Sequence, residues 1–431
     1  MRILIINQPF YPDIVATAQH LADWSEHLTA QGHEVTVIAS RSVYGKQGAN
    51  LPKRDTYKGA TVYRVGANLF KKGRILTRLV DFGLFHFLAL YRALTLPKQD
   101  VVVCLTTPPF IGLVGMLTKC IRGSCYIQYE MDLYPDVPIA LGVMRKSSLP
   151  ARFFDALHRK LLRSADRVVV LGRCMQRVIA AKNIPAEKLA LITPWADPDE
   201  LAPAARESNG FRRQQNLADK FVVMYSGNLG LGHDITTIAA GMQQLANSAD
   251  PRDKTIHFVF IGGGKRMQEI EAFVDQHHLQ NVSILDYQPR EKLAETLSAA
   301  DVHLITQAPG TSGLIVPSKF YGILAAGRPS IYIGPADTEV AYALTESNLG
   351  TVLPIGDVQG FLNALHQLQD PSNATEFEAR ARDVLRQNFS RQVNTAKLTE
   401  LVESLEAPAA SALRHRASFV PPGRRSQRNS V

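Results

Sequence analysis

Lys319 carries a positive charge into a place that does not favour one. It follows Thr311-Ser312-Gly313-Leu314-Ile315-Val316-Pro317-Ser318, a small flexible loop that turns apolar, and it opens a segment that Gly327 and Pro329 stop. Pro317 suits the first turn of a helix, because the amide it lacks would have no intrahelical partner there. The helix dipole disfavours a cation at that end, whereas free amides and a lysine together suit an anion such as a diphosphate. A surface lysine on an ordinary helix is the competing reading, and this stretch alone leaves both open.

Two more turns bear on the choice. The apolar run Phe221–Tyr225 empties into Ser226-Gly227-Asn228-Leu229-Gly230-Leu231-Gly232-His233, and Ile256–Ile261 empties into Gly262-Gly263-Gly264-Lys265-Arg266. Glycines at such ends let backbone approach a ligand closely. One glycine-rich turn is a weak signal. Three, with His233, Lys265, Arg266 and Lys319 nearby, point to a ligand bearing phosphate. Neither a Walker A motif nor a dense acidic cluster accompanies them, so no metal site or structural Mg²⁺ cage is expected. A separate run, Glu130-Met131-Asp132-Leu133-Tyr134-Pro135-Asp136, follows the apolar segment Cys125–Tyr129. Asp132 could orient an acceptor hydroxyl or take its proton. Asp136 is read either on the acceptor side or as a helix cap.

The elements that position these residues alternate. Ile3–Asn7 and His33–Ala39 read as buried strands around a helix from about Thr17 to Gln31, which Gly32 stops. That opening starts a doubly wound α/β domain, whose ligands bind beyond the carboxyl ends of the strands. The loop Gln8–Thr17 then faces a cleft; without G-x-G-x-x-G it is not a dinucleotide site. Further strands are expected at 61–65, 100–105, 125–129, 167–172 and 189–193, and a second Rossmann-like unit over 221–388. The chain is thus divided into an acceptor-side domain (1–200), a ligand-binding domain (201–390), a C-terminal helix returning to the first domain (391–406) and a basic, disordered tail (407–431).

At 431 residues, with 45% hydrophobic and 20% charged residues, the chain is a soluble globular protein of two domains. Its net charge is +9, but five arginines beyond Glu406 account for much of it, leaving +4 for the rest. That argues against a dedicated nucleic-acid binder and is compatible with resting on an anionic membrane. Lys71-Lys72-Gly73-Arg74, leading into Phe82, Phe85 and Phe87, makes residues 71–91 a candidate for that contact. The four cysteines lack metal-type spacing and suit reduced, buried thiols. The chain opens on a strand rather than a signal peptide and has no uninterrupted spanning segment. A cytoplasmic protein, peripheral on the inner face of the membrane where it docks, is expected.

The motif set resembles family 4 of the GT-B glycosyltransferases, in particular members that build bacterial surface polysaccharides on lipid carriers. The resemblance rests on Gly32-His33-Glu34-Val35-Thr36-Val37, Met131–Asp136 with Ala140-Leu141-Gly142, Trp195-Ala196-Asp197, Tyr225–Gly230, Ala299-Ala300-Asp301-Val302, and Val316–Tyr321 with Ala325–Pro329. It spans residues 1–390 in the family's order. It implies two Rossmann-like domains facing a cleft and a nucleotide-sugar donor, most often UDP-linked, in the second. Gly227, Asn228, His233, Gly264 and Lys265 would surround the donor. Lys319 would counter the diphosphate, Gln288 would face the base, and Ser312, Gly313, Leu314 and Ser318 would contact phosphate or sugar. Transfer would retain anomeric configuration without metal or cofactor, and the acceptor would enter past Thr17, Asp132 and Asp136. Two departures stand out: the family's paired glutamates correspond to Leu314 and Gly322, and the Arg and Lys after the first glycine turn are missing.

A retaining hexosyl- or N-acetylhexosaminyl-type transferase acting on a lipid-linked or other membrane-proximal glycan is therefore expected. A sugar-nucleotide epimerase and a catalytically degenerate scaffold are the alternatives.

Overall fold

The computed structural model describes residues 1–43, 50–66, 75–370 and 374–405. The first domain is an eight-stranded sheet: β1 (Arg2–Ile6), β2 (Glu34–Ser40), β3 (Arg54–Tyr57), β4 (Ala60–Val65), β5 (Val101–Cys104), β6 (Cys125–Tyr129), β7 (Arg167–Val170) and β8 (Leu189–Leu191). Their spatial order is β3-β4-β2-β1-β5-β6-β7-β8, parallel except for the β3–β4 pair. β-Branched runs such as Val101-Val102-Val103 are buried on both faces, as helix-covered parallel strands require.

The helices that matter for the site are α1 (Ala16–Ala30), α2 (Ile75–Thr95), α3 (Gly112–Arg122), a short turn of helix at Asp136–Ala140, α4 (Leu149–Ser164) and α5 (Arg173–Ala180). The observed α1 starts one residue before the expected Thr17 and ends one before Gln31. β3 was not expected; its sequence Arg-Asp-Thr-Tyr is polar because it is an edge strand, protected by charge from further pairing.

The second domain holds β9 (Phe221–Asn228), β10 (Ile256–Gly263), β11 (Val282–Leu285), β12 (Val302–Thr306), β13 (Ser330–Ile333) and β14 (Gly350–Leu353) in the order β11-β10-β9-β12-β13-β14. All its pairs are parallel. α6 (Lys265–His277) follows β10, α7 (Lys319–Ala325) and α8 (Glu339–Glu346) follow β12 and β13, and α9 (Arg391–Glu403) ends the described chain. The strand order reverses between β1 and β5 and again between β9 and β12, so each domain has one switch-point crevice.

The chain crosses between domains twice at one place. Ala196 N–H donates to Phe389 O (3.2 Å) and Arg391 N–H to Ala196 O (3.0 Å). α9 then lies against α1, where Trp24 Nε1 donates to Thr399 Oγ1 (3.3 Å). The tail beyond Leu405 and the basic residues Lys71, Lys72 and Arg74 lie outside the described residues.

Candidate functional site

Because β9, β10 and β12 are adjacent and parallel, the three loops singled out from sequence leave the same sheet edge. β9 and β10 run in register to their last residues, Gly262 opposite Gly227 and Gly263 opposite Asn228. Gly227, Gly262 and Gly264 have φ of +125°, +126° and +124°, which L side chains rarely adopt. A Cβ on Gly262 would sit 2.3 Å from the Gly227 carbonyl oxygen; one on Gly264 would sit 2.5 Å from the Leu229 carbonyl oxygen and 2.7 Å from Asn228 Oδ1. These glycines let the two strand ends close on each other.

Lys319 reaches this edge from α7. Its Nζ lies 3.5 Å from the centre of the Tyr225 ring, and a Cβ on Gly227 would lie 3.7 Å from it. The amine is buried and has no hydrogen-bond acceptor among the described residues. Burial pushes its pKa well below the usual lysine range. A lysine set against a ring face, whose charge burial disfavours until a counter-charge arrives, is poised for an anion brought in beside Gly227. The local geometry differs from expectation: Pro317 precedes the helix instead of lying in its first turn, Ser318 is the cap residue without a side-chain cap bond, and the helix is seven residues long.

His233 sits in the switch-point crevice but is not a second cation. Its Nδ1 bonds Thr306 O (2.7 Å), and burial, with Lys319 nearby, lowers its pKa to about 3. It is a neutral ring packed edge-on to Tyr225. Lys265 opens α6 and is exposed, while Arg266 pairs with Glu269. Gln288 Nε2 donates to Asp286 O (2.9 Å), and the neighbouring Tyr287 ring covers Gly262 and Gly263. Ser312 Oγ donates to Asp337 O (3.0 Å). The amide of Leu314 is not free for a ligand, because it donates to Thr311 O (3.0 Å) inside the turn.

The carbonyl of Leu314 instead joins the domains, accepting the Leu133 amide at 3.0 Å. Gly313, with φ of +71°, packs so closely on the first domain that an added Cβ would lie 2.6 Å from Cys174 O. Asp132 is thereby held next to the loop that leads to Lys319. Its half-buried carboxyl has a pKa raised to about 6, by burial first and the Glu130 carboxylate second. Asp136 is a correction: both its oxygens lie within 3.0 Å of Lys182 Nζ, which also holds Asp155, so its charge is spent inside the first domain. Thr17 lies in the first turn of α1, a helix whose start has no side-chain cap.

Three contributors escaped the sequence reading. Tyr225 stands in a quoted motif but was passed over for Gly227. Glu130, in the same acidic run as Asp132, is buried and bonded to His158 (3.1 Å). Glu339 accepts the Arg173 amide (2.6 Å) and guanidinium (3.2 Å) across the domains. Only the first two carried any local signal.

Residues 16–195 match the family described as glycosyl transferase 4-like domain. The chain is 28% identical to a probable glycosyltransferase, WbjE, from Pseudomonas aeruginosa, over 72% of this chain and 75% of that one. It is 25% identical to a putative colanic acid biosynthesis glycosyl transferase, WcaI, from Escherichia coli K12, over 79% and 85%. Among solved structures it superposes on sucrose-phosphate synthase from Thermosynechococcus elongatus with a TM-score of 0.75 (17% identity, 95% and 100% covered). It superposes on Anabaena HepE in complex with UDP with a TM-score of 0.69 (15% identity, 94% and 100% covered). These likenesses show that the chain as a whole has the GT-B fold, two Rossmann-like domains, and that residues 16–195 resemble a glycosyl transferase 4-like domain.

Proposed function

We propose that the protein moves a sugar, with retention of configuration, from a UDP-linked donor to a lipid-linked or other membrane-proximal glycan in surface-polysaccharide synthesis. The observation that carries this is Lys319, a buried amine without an acceptor among the described residues, set over Tyr225 beside the Gly227 turn. A nucleoside diphosphate seated there would supply the missing anion, and the lysine would stabilise the charge that grows on the leaving diphosphate. The structure of HepE with UDP supports a nucleotide in this fold, the description of WbjE supports glycosyl transfer, and that of WcaI supports transfer in colanic acid biosynthesis. Transfer without metal is part of the proposal. On the acceptor side Asp132, ionised above pH of about 6, would orient or deprotonate the hydroxyl. Residues 71–91, which run into α2, would touch the membrane, though no described helix is long and apolar enough to cross it.

Calorimetry with UDP and GDP, followed by a panel of their sugars with polyprenyl-diphosphate acceptors, tests the reading. Lys319→Ala should weaken nucleotide-diphosphate binding by about 10–100-fold, the range for a lost charge-assisted contact. Wild-type protein that neither binds a nucleotide diphosphate nor transfers sugar would sink it. One observation favours a degenerate scaffold instead: a side chain at Gly322 would start against Leu297 and Leu201, at 3.5 and 3.8 Å, so that position offers no ribose acid. Nucleotide binding without transfer or donor turnover would favour that scaffold. Donor altered with the nucleotide still attached would indicate an epimerase.

A further inference from the structure

A cavity of about 280 Å³ lies at the pivot between the domains. Leu191 and Thr193 line it from the first domain, Ser347 from the end of α8, and Asn394 and Lys397 from the returning α9. It is separate from the Gly227 and Lys319 edge. Gly313 and Leu314, which follow β12, press on Cys174 and Leu133, beside β7 and β6. The cavity lies beyond those contacts, where β7, β8 and β13 end and Arg173 meets Glu339.

Two features mark its wall. Asn388 and Phe389 come from a π-helical turn, Leu385–Phe389, a geometry frequent at functional sites. Asn394 is 1% exposed and donates its amide hydrogens to Asn388 O (3.0 Å) and Ser390 O (3.3 Å), which fixes the amide's orientation. Its Oδ1 is left without a donor among the described residues. Buried acceptors seldom go unpaired, and a donor entering the cavity would complete this one.

Size and charge decide what fits. Ordinary small-molecule pockets start at about 300 Å³, so this one suits a single ring and is too small for a nucleotide sugar. Its charged residues cancel, Arg173 and Lys397 against Glu339 and Glu346. Arg173 is already committed to Glu339 (3.2 Å) and Glu346 (2.8 Å), so a phosphate entering here would meet two carboxylates. Leu191, Val384 and Phe389 supply apolar walls, and Thr193, Ser347 and Asn388 supply hydroxyl and amide groups. A sugar ring, with C–H faces and hydroxyls around its edge, matches both.

We propose that this cavity binds one neutral pyranose at a site separate from the donor's. The reading goes beyond sugar transfer and does not rest on it. Because the walls come from both domains and α9, the ligand selects the arrangement in which they meet. By linkage it then holds the domains in that arrangement.

The test is saturation-transfer NMR on the full chain, without nucleotide, using D-glucose, D-galactose, D-mannose and N-acetyl-D-glucosamine. At least one sugar should receive saturation from wild type and raise its unfolding temperature. Ser347→Trp fills the cavity from the second domain and Leu191→Trp fills it from the first; neither position is fully buried. Each should weaken that binding at least about tenfold and abolish the temperature rise, with far-ultraviolet circular dichroism unchanged. Silence from all four sugars would overturn the proposal, and so would binding that survives both fillings. Displacement of the sugar by inorganic phosphate would overturn it too, since the cavity would then be an anion site. UDP affinity should be the same in wild type and both variants. Wild-type protein that binds the sugar but no UDP would refute the donor reading and leave this site standing.

Discussion

Asp132 is the residue whose titration is most informative. Its carboxyl is an acid held partly out of water beside Glu130, so its folded pKa of about 6 lies above the ordinary aspartate value of 3.8. The folded state therefore binds this proton more tightly than the unfolded chain. The resulting stability is fully present below the unfolded value and is lost as pH rises through about 6. Asp132→Asn should accordingly stabilise the protein above that pH, by up to about 3 kcal/mol, and have no such effect at pH 4. If the carboxylate serves the acceptor, transfer by wild type should fall below pH of about 6 and the variant should be slow at every pH. An unchanged pH–rate profile in the variant would remove Asp132 from the chemistry. His233 shows the opposite sign. Its lowered pKa makes it a source of stability above pH 6.5 that fades as the solution becomes acidic towards about 3.

At the level of elements, two glycines in the second domain predict opposite outcomes for one substitution. Gly264 turns out of β10 at φ +124° against the Leu229 carbonyl, so Gly264→Ala adds both backbone strain and a clash. It should cost about 1–3 kcal/mol in urea unfolding and weaken nucleotide binding with it. Gly322 lies inside α7, where a new methyl would meet Leu297 and Leu201 at ordinary contact distances. Gly322→Ala should therefore stabilise by about 0.5–1 kcal/mol by lowering the entropy of the unfolded chain. Equal effects of the two changes would contradict the geometry of the β9–β10 edge.

For the whole molecule, the question is what keeps the two sheets facing each other. The double crossing at Ala196 and Ser390 is a narrow pivot. Away from it, Arg173 of α5 reaches both Glu339 and Glu346 of α8, and Arg177 donates to Tyr342 Oη (2.9 Å). Glu339 is buried and also caps the first amide of α5, so it depends on this partner. Arg173→Ala should loosen the closed arrangement. Small-angle scattering of the ligand-free variant should show a larger radius of gyration, and transfer should fall while nucleotide affinity in the second domain stays near wild type. Identical scattering curves would mean that the pivot and the Leu133–Leu314 contact suffice.

Local signals in the sequence determined the fold and the neighbourhood of the site. Runs such as Ile3–Ile6 and Val101–Val103, punctuated by Gly32 and the glycine turns, identify two parallel α/β domains because period and backbone freedom are properties of neighbouring residues. Adjacency of the strands then brings the Gly227, Gly264 and Thr311 loops to one edge. What each side chain does there was decided by partners far along the chain. Lys182 occupies Asp136, Thr306 leaves His233 neutral, Leu133 takes the Leu314 carbonyl, and Tyr225 cradles Lys319. Charge state and hydrogen-bond commitment depend on burial and on what lies within a few ångströms, and for these residues only the tertiary structure supplies both.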